Sequence, residues 1–238
     1  MDLRQCEEKL QLLMQKYGVE VPFCPKLKEQ DGCYYLEEPD ASVPLLIWRQ
    51  ERRFAEMRGL KDSGRAGMPS VLRSERLVGA EHPLTAELIR ELDLCEWLMG
   101  SPIRSVCAFR GGPALNLIAT LENDVVCTVE LAAALEGGVP LIDRHEITTR
   151  RGVICDRVVD TQIPQSSVYV FTAQQRQEFN DQDFELYGLP PEHVSLVREA
   201  FAVLCDSLEQ DRTDTFARLQ ELAALVGRSA QQERCLTV

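Results

Sequence analysis

His145 is the residue whose type and sequence setting most readily offer acid–base chemistry. An imidazole with an ordinary pKa can accept or donate a proton near neutral pH. It stands in a run that reads as a strand, Asp143-Arg144-His145-Glu146-Ile147. Because side chains alternate along a strand, His145 and Glu146 lie on opposite faces of the sheet. Two interpretations stay open, an acid–base group on one face or an ordinary hydrogen-bonded sheet histidine, and the pattern favours the second.

A polar stretch further along, residues 160–167, could form a ligand-binding loop that includes Gln165. It reads Asp160-Thr161-Gln162-Ile163-Pro164-Gln165-Ser166-Ser167. Its proline suits a bend or the edge of a sheet. The competing interpretation is a solvated connection between strands, which the composition favours.

Cysteine and histidine are the residue types that could bring metal or redox chemistry. The nine cysteines stand at positions 6, 24, 33, 95, 107, 127, 155, 205 and 235, and none of them forms a Cys-x-x-Cys pair. The three histidines, at 82, 145 and 193, are scattered. Because zinc sites need clustered cysteines and histidines, we expect no metal site. We expect the cysteines to be reduced structural thiols.

Nucleotide chemistry would need a glycine-rich turn between a strand and a helix. The sequence has 14 glycines, but none of them forms Gly-x-Gly-x-x-Gly or a Walker loop. The backbone cradle that a pyrophosphate needs is therefore missing from the sequence. We expect this chain alone to bind no cofactor.

The composition excludes several classes of protein. The 238 residues carry a formal charge of −12, and the pI is near 4.8. A nucleic-acid binder is excluded because it would need a basic surface. The charged N-terminus does not read as a signal peptide, and no apolar run approaches the roughly 18–20 residues of a membrane span. We expect a cytoplasmic protein without a membrane partner.

The periodicity of apolar residues predicts helices first and consecutive strands after Pro102. The most sharply bounded helix begins after Pro83 and ends at Gly100-Ser101-Pro102. Strands joined by tight turns indicate an antiparallel sheet. The predicted fold class is α+β, an open, mostly antiparallel sheet with helices packed on one face. We expect a single domain over 1–238 with an irregular insertion at about 24–42.

Several short motifs occur in an order that resembles a known family. They are Trp48-Arg49, Ser63-Gly64-Arg65-Ala66-Gly67, Asp93-Leu94-Cys95-Glu96-Trp97-Leu98-Met99-Gly100-Ser101-Pro102, His145-Glu146-Ile147 and Arg228-Ser229-Ala230. Together they resemble the C-terminal substrate domain of the glucose–fructose oxidoreductase / inositol dehydrogenase (Gfo/Idh/MocA) family. The resemblance covers nearly the whole chain. It implies an open sheet with helices on one face and a subunit interface on the other.

In that family a Rossmann domain that binds NAD or NADP precedes this domain. We expect that domain to be absent, together with the Glu-Lys-Pro motif and its catalytic lysine. Aligned on Asp93, the family's Asp-x-Gly-x-His-x-x-Asp helix has Arg90 at its histidine position. An arginine keeps its proton near neutral pH and cannot relay one. We therefore expect no catalytic residue in this chain.

The resemblance leaves two functions open. The first is a non-catalytic or accessory oxidoreductase-like protein, a pseudoenzyme that forms a homodimer or larger oligomer through its open sheet face or pairs with a complete Rossmann-containing oxidoreductase subunit. The alternative is one half of a split dehydrogenase that acts on a sugar, inositol or related polyol and receives NAD(P) from a partner subunit. In that case the residues expected to line the substrate pocket are Arg49, Arg90, Asp93, His145 and Gln165.

Overall fold

The computed structural model describes residues 3–156, 167–171, 176–180, 186 and 188–238. The chain divides into two compact units, each described by itself below. The first comprises Met1–Glu51 with Gln182–Arg218, and the second comprises Arg52–Asp181 with Leu219–Val238. The expectation of a single domain over 1–238 stays a prediction.

The regular elements alternate between helices and strands in the first half and are mostly strands in the middle. In chain order they are α1 (Leu3–Tyr17), β1 (Lys26–Gln30), β2 (Cys33–Glu37), β3 (Ser42–Leu45), a 3₁₀ helix (Ile47–Gln50), α2 (Arg52–Asp62), β4 (Pro69–Gly79), α3 (Leu84–Met99), β5 (Ile103–Gly111), β6 (Ala114–Leu121), β7 (Val126–Leu135), β8 (Ile142–Thr149), β9 (Gly152–Cys155), β10 (Ser167–Phe171), β11 (Arg176–Asn180), α4 (Pro191–Asp206), α5 (Glu209–Gln232) and β12 (Leu236–Thr237). Among the described residues, no helix combines the length and the apolar character that a membrane crossing requires.

The first unit has a hydrophobic core made by α1, α4 and a small antiparallel sheet in the order β1-β2-β3. Three apolar residues of α1, Cys6, Leu10 and Leu13, are buried in this core. A stripe with this spacing lies on one face of a helix and packs against its neighbours. The core residues of α4 are Leu196, Val197, Ala200, Val203 and Leu204.

The interpretation of 24–42 as irregular is wrong. β1 and β2 pair as an antiparallel hairpin, and β3 pairs with β2. Asp31 and Gly32 form the turn with φ of 52° and 77°, the positive values that a two-residue type I′ hairpin requires. Leu27 and Leu36 are buried, while most other positions of β1 are charged and exposed. The apolar alternation was therefore too sparse to reveal the strand.

The second unit is built on a seven-stranded sheet in the order β12-β5-β6-β7-β4-β8-β9. Neighbouring strands are antiparallel except for β4 and β7, which run parallel. The predicted α+β class is confirmed, with helices on one side of a mostly antiparallel open sheet. Among the residues that the structure describes, β10 and β11 form a separate two-stranded antiparallel ladder.

Helix α3 is the central helix of the second unit. It contacts β4 and β7 and is buried along most of its length. It ends where the sequence predicts, at Gly100, whose φ is 66° and whose N–H donates to the carbonyl of Glu96 at 2.7 Å. A left-handed residue of this kind closes a helix at the least cost when it is glycine.

The two faces of the large sheet differ in their surroundings. Alternate residues of β5, β6 and β7 are buried, among them Val106, Leu117 and Val129. The residues between them, together with the positions of β4, β8 and β9 that share their face, form what we call the open face, which includes exposed Phe109 and Ile118. Side chains alternate along each strand, so the same strands supply both the core and the open face.

Candidate functional site

His145 lies on β8 with its side chain fully buried. Its Nδ1 lies 3.0 Å from Asp156 Oδ2, and its Nε2 lies 3.0 Å from Glu91 Oε2. Burial by itself lowers the pKa of His145, but the two carboxylates outweigh it and raise the pKa to about 9. The imidazole is therefore protonated at neutral pH, and each ring N–H donates to a carboxylate.

Glu91 on α3 is the second fully buried member of this site. It accepts hydrogen bonds from the Ser74 hydroxyl, from His145 and from the guanidinium of Arg90. Burial raises the pKa of Glu91, but the positive charges of His145 and Arg90 prevail and lower it to about 2. Glu91 is therefore ionised at neutral pH.

Three arginines converge on the carboxylate of Asp143. Its Oδ2 lies 2.5 Å from Arg53 Nη2, 2.9 Å from Arg76 Nη1 and 2.9 Å from Arg90 Nη2. Burial raises the pKa of Asp143, but the arginines hold it well below its usual range. Asp143 thus joins α2, β4 and α3 to its own strand, β8.

The remaining contacts close the cluster. Arg53 Nη1 lies 3.0 Å from Asp156 Oδ2, and Arg76 Nε lies 2.8 Å from Glu87 Oε2. We call this cluster the buried charge network, and its members are Arg53, Ser74, Arg76, Glu87, Arg90, Glu91, Asp143, His145 and Asp156. Its four carboxylates balance three arginines and one imidazolium, so the network carries no net charge. Buried charges persist when they are paired and hydrogen-bonded in this way.

Three residues of the network carry the kinds of atom that ligate metal ions. Glu91, Asp143 and His145 each offer a ligand atom, and these atoms lie within 4.8 Å of one another. The same atoms already accept from guanidinium groups or carry a proton. A protonated imidazole cannot ligate a metal. The donor set therefore fits a network of salt bridges better than a cation site.

The structure brings together two of the residues predicted to line a substrate pocket. Arg90 and His145 both contact Glu91 and Asp143. Asp93 is buried on the same helix as Arg90. Arg49 belongs to the first unit, in the 3₁₀ helix. Gln165 and residues 160–166 of the predicted ligand loop lie outside the described residues, and the substrate-binding role of all five stays a prediction.

Sequence reasoning missed Arg53, Arg76, Asp143 and Asp156 as partners of the site. A signal was present, because Asp143 and His145 occupy the same phase of β8 as buried Ile147. Polar residues at apolar phases of a strand indicate buried partners. Which residues those partners are could not be read from the local pattern, because they come from separate elements.

No family model matches the sequence, and no curated protein matches it either. Solved structures do match. One is scyllo-inositol dehydrogenase from Lactobacillus casei with bound cofactor NAD(H) and scyllo-inositol, which is 15% identical with a TM-score of 0.58. Another is a myo-inositol dehydrogenase from Corynebacterium glutamicum, which is 16% identical with a TM-score of 0.59. Each match covers 81% of this chain and 63% of the matched chain.

This chain has the inositol dehydrogenase fold over the region it shares with them. The resemblance to the Gfo/Idh/MocA family is thereby confirmed for the fold. The chain spans less than two thirds of the length of these dehydrogenases.

Proposed function

We propose that this chain is a non-catalytic, oxidoreductase-like protein that associates with a second copy of itself through its open sheet face. The observation that carries the proposal is the pattern of charges on that face. The proposal has two parts, a site that does not relay protons and a surface that complements itself.

The buried charge network offers no group that is ready to exchange a proton at neutral pH. His145 holds its proton between two carboxylates, and Glu91 is ionised. Arg90, at the position where the resemblance implies a histidine, donates to Glu91 and Asp143. General acid–base catalysis works best when the pKa lies near the working pH. These groups are better suited to holding strands and helices together than to chemistry.

The open face combines exposed apolar side chains with a central group of charges. Phe109, Ile118 and Val153 are each about half exposed. Phe109 and Ile118 lie on neighbouring strands, and Val153 lies on β9 at the opposite edge of the sheet. On β4 and β8 the neighbouring positions of this face are charged, and they occur in opposite pairs.

Four charged residues form what we call the charge square. Arg73 stands opposite Glu146 across the β4–β8 pair, and Glu75 stands opposite Arg144. The separations are 3.6 Å for Arg73 Nη1–Glu146 Oε1 and 3.2 Å for Arg144 Nη1–Glu75 Oε2. The sign therefore alternates both along each strand and across them. A two-fold axis that lies in the plane of the interface, passes through the centre of the square and runs parallel or perpendicular to the strands places every charge of the square over the opposite charge of the second copy.

Sedimentation of four proteins tests the dimer. The wild type is expected at twice 26.9 kDa at micromolar concentration. Arg73→Glu with Arg144→Glu makes the square wholly acidic, and this variant is expected to be monomeric because like charges then face one another. Exchanging all four signs restores the alternation and is expected to restore the dimer. Arg65→Glu with Arg228→Glu makes the same change of charge at exposed positions outside the sheet and is expected to stay dimeric.

Two results would overturn the proposal. One is a folded wild type that sediments at 26.9 kDa. The other is an all-acid square that dimerises as well as the wild type does.

A second candidate is one half of a split dehydrogenase, with NAD(P) held by a partner subunit. The fold shared with a scyllo-inositol dehydrogenase that binds NAD(H) supports it. Because we expect this chain alone to bind no dinucleotide, calorimetry with NADH should show no heat of binding. Micromolar affinity would contradict that expectation. Polyol-dependent reduction of NAD⁺, seen only after mixing with a Rossmann-containing oxidoreductase, would favour this candidate over the non-catalytic one.

A further inference from the structure

Two cysteines of the second unit stand side by side at the edge of the large sheet. β12 pairs with β5 in an antiparallel register that sets Leu236 against Val106 and Thr237 against Ser105. One residue further along the same register, Cys235 stands opposite Cys107. Cys107 is partly exposed and Cys235 is exposed. Cys107 shares the open-face phase of β5 with Ser105 and Phe109.

The type of pair favours a covalent link. The N–H of Val238 donates to the carbonyl of Arg104 at 3.0 Å. Val238 and Arg104 are therefore a hydrogen-bonded pair of the β12–β5 ladder. Hydrogen-bonded and non-hydrogen-bonded pairs alternate along an antiparallel ladder, which makes Cys107–Cys235 a non-hydrogen-bonded pair. In such pairs the Cα atoms are about 4.5 Å apart, at the near end of the range that disulfides span.

A buried serine fixes the turn that presents Cys235. The Ser229 hydroxyl donates to the carbonyl of Arg234 at 2.7 Å and accepts from the N–H of Ala108 at 3.0 Å. Ser229 is fully buried. The residue before Cys235 is thus tied to the strand that carries Cys107. The neighbouring thiol of Cys235 raises the pKa of Cys107.

We propose that Cys107 and Cys235 are a redox site that closes to an intrachain disulfide and fastens the C-terminal strand to the edge of the sheet. A disulfide oxidant such as oxidised glutathione supplies the reaction. One S–S bond forms between Cys107 and Cys235 while the S–S bond of glutathione breaks. The two thiol protons end on the two molecules of reduced glutathione, so two electrons leave the protein.

The fastened element is short and lies at an edge. β12 has two residues, and it covers the free side of β5. An uncovered edge exposes unpaired backbone groups that can pair with another chain. The oxidised site therefore adds a covalent link to the strand pairing that holds the cover in place. This inference does not depend on the proposed dimer, because the Arg73→Glu/Arg144→Glu variant, which is expected to be monomeric, leaves the open face and Cys107 accessible to the oxidant.

A second pair of thiols gives an internal control. Cys127 on β7 is close enough to Cys95 on α3 to raise its pKa, but both residues are fully buried. Thiol–disulfide exchange requires access of the oxidant to sulfur. Oxidised glutathione is therefore expected to react with Cys107 and Cys235 and to leave Cys95 and Cys127 reduced.

Peptide mapping of the folded, full-length chain tests the site. Trypsin cuts after Arg104, Arg110 and Arg234, so Cys107 and Cys235 fall in the short peptides 105–110 and 235–238. After incubation with oxidised glutathione and blocking of free thiols, these two peptides are expected to be joined. They are expected to separate after reduction.

Thermal unfolding supplies the second readout. The disulfide closes a long loop, and we expect the melting temperature of the oxidised protein to exceed that of the reduced protein by roughly 5–10 °C. Cys235→Ser is expected to lose both the joined peptide and the rise in melting temperature on oxidation. Cys205→Ser, which changes an exposed thiol of α4, is expected to keep both. The proposal is overturned if the peptides do not join, if they join only between two chains, or if joining leaves the melting temperature unchanged.

Discussion

Replacing Asp143 by asparagine tests whether the buried charge network holds the second unit together. The change keeps the shape of the side chain and removes the charge at which three arginines meet. Each arginine keeps one other carboxylate, since Arg53 contacts Asp156, Arg76 contacts Glu87 and Arg90 contacts Glu91. The variant therefore carries one uncompensated buried positive charge rather than three.

The loss of stability expected for Asp143→Asn follows from that one uncompensated charge. Removing one partner of a buried ion pair costs about 3–5 kcal/mol. Because every arginine keeps a partner, we expect a loss near the lower end, about 3 kcal/mol in the free energy of unfolding. For a chain of this size that is a fall of roughly 6–12 °C in melting temperature.

The assay should report on the second unit alone. Of the two tryptophans, Trp97 lies on α3 in the second unit and Trp48 lies in the first. Urea unfolding followed by fluorescence in a Trp48→Phe background therefore follows the second unit. The control is Asp124→Asn, which makes the same chemical change at a side chain that is 81% exposed and lies 3.0 Å from Arg104.

An exposed ion pair is worth about 0–1 kcal/mol, so the control should scarcely move the midpoint. The reasoning is refuted if Asp143→Asn costs no more than Asp124→Asn. It would then follow that the three guanidinium groups are satisfied without the charge of Asp143.

Two further predictions concern pH and the end of α3. The pKa of His145 is raised to about 9 in the folded protein. Its contribution to the free energy of unfolding, about 3 kcal/mol, is therefore complete below pH ~6.5 and is lost as pH rises through 9. The pKa of Glu91 is lowered to about 2, so its contribution to the free energy of unfolding is present above the ordinary pKa of a glutamate and is lost as pH falls through 2. Urea unfolding should therefore show greatest stability between pH ~4.5 and ~6.5. His145→Gln should remove the decline in stability at alkaline pH. Gly100→Ala should cost about 1–2 kcal/mol, because φ is 66° and the new methyl group would meet Lys61 only at an ordinary 3.6 Å. Gly100→Asn should cost less, since asparagine tolerates that conformation, and equal losses for both variants would contradict this explanation.

The sequence was sufficient where one element carries its own signals. α3 is bounded by a proline before it and by Gly100 after it, and both ends lie where predicted. β6 and β7 show clear alternation and pair as neighbours in antiparallel register. Local periodicity and turn residues determine such features.

Pairings between distant segments were beyond this kind of reasoning. β4 lies between β7 and β8 and runs parallel to β7, but nothing in the local pattern of β4 specifies its neighbours. The buried charge network was missed for the same reason, because Arg53 and Asp143 are 90 residues apart. The network forms only when folding brings α2, α3 and β4 against β8.

β4 and β8 carry polar residues on both faces, and these residues contribute to the register of the pair. On the buried face Ser74 stands opposite His145, and on the open face Arg73 stands opposite Glu146. A slip of one residue would exchange the faces and place the charged residues of the square under α3. The buried carboxylates would then lose the arginine and histidine that compensate them, at a cost of several kcal/mol for each unpaired ion. The charges therefore reinforce the register that buried Leu72 and Ile147, which stand opposite each other, also favour.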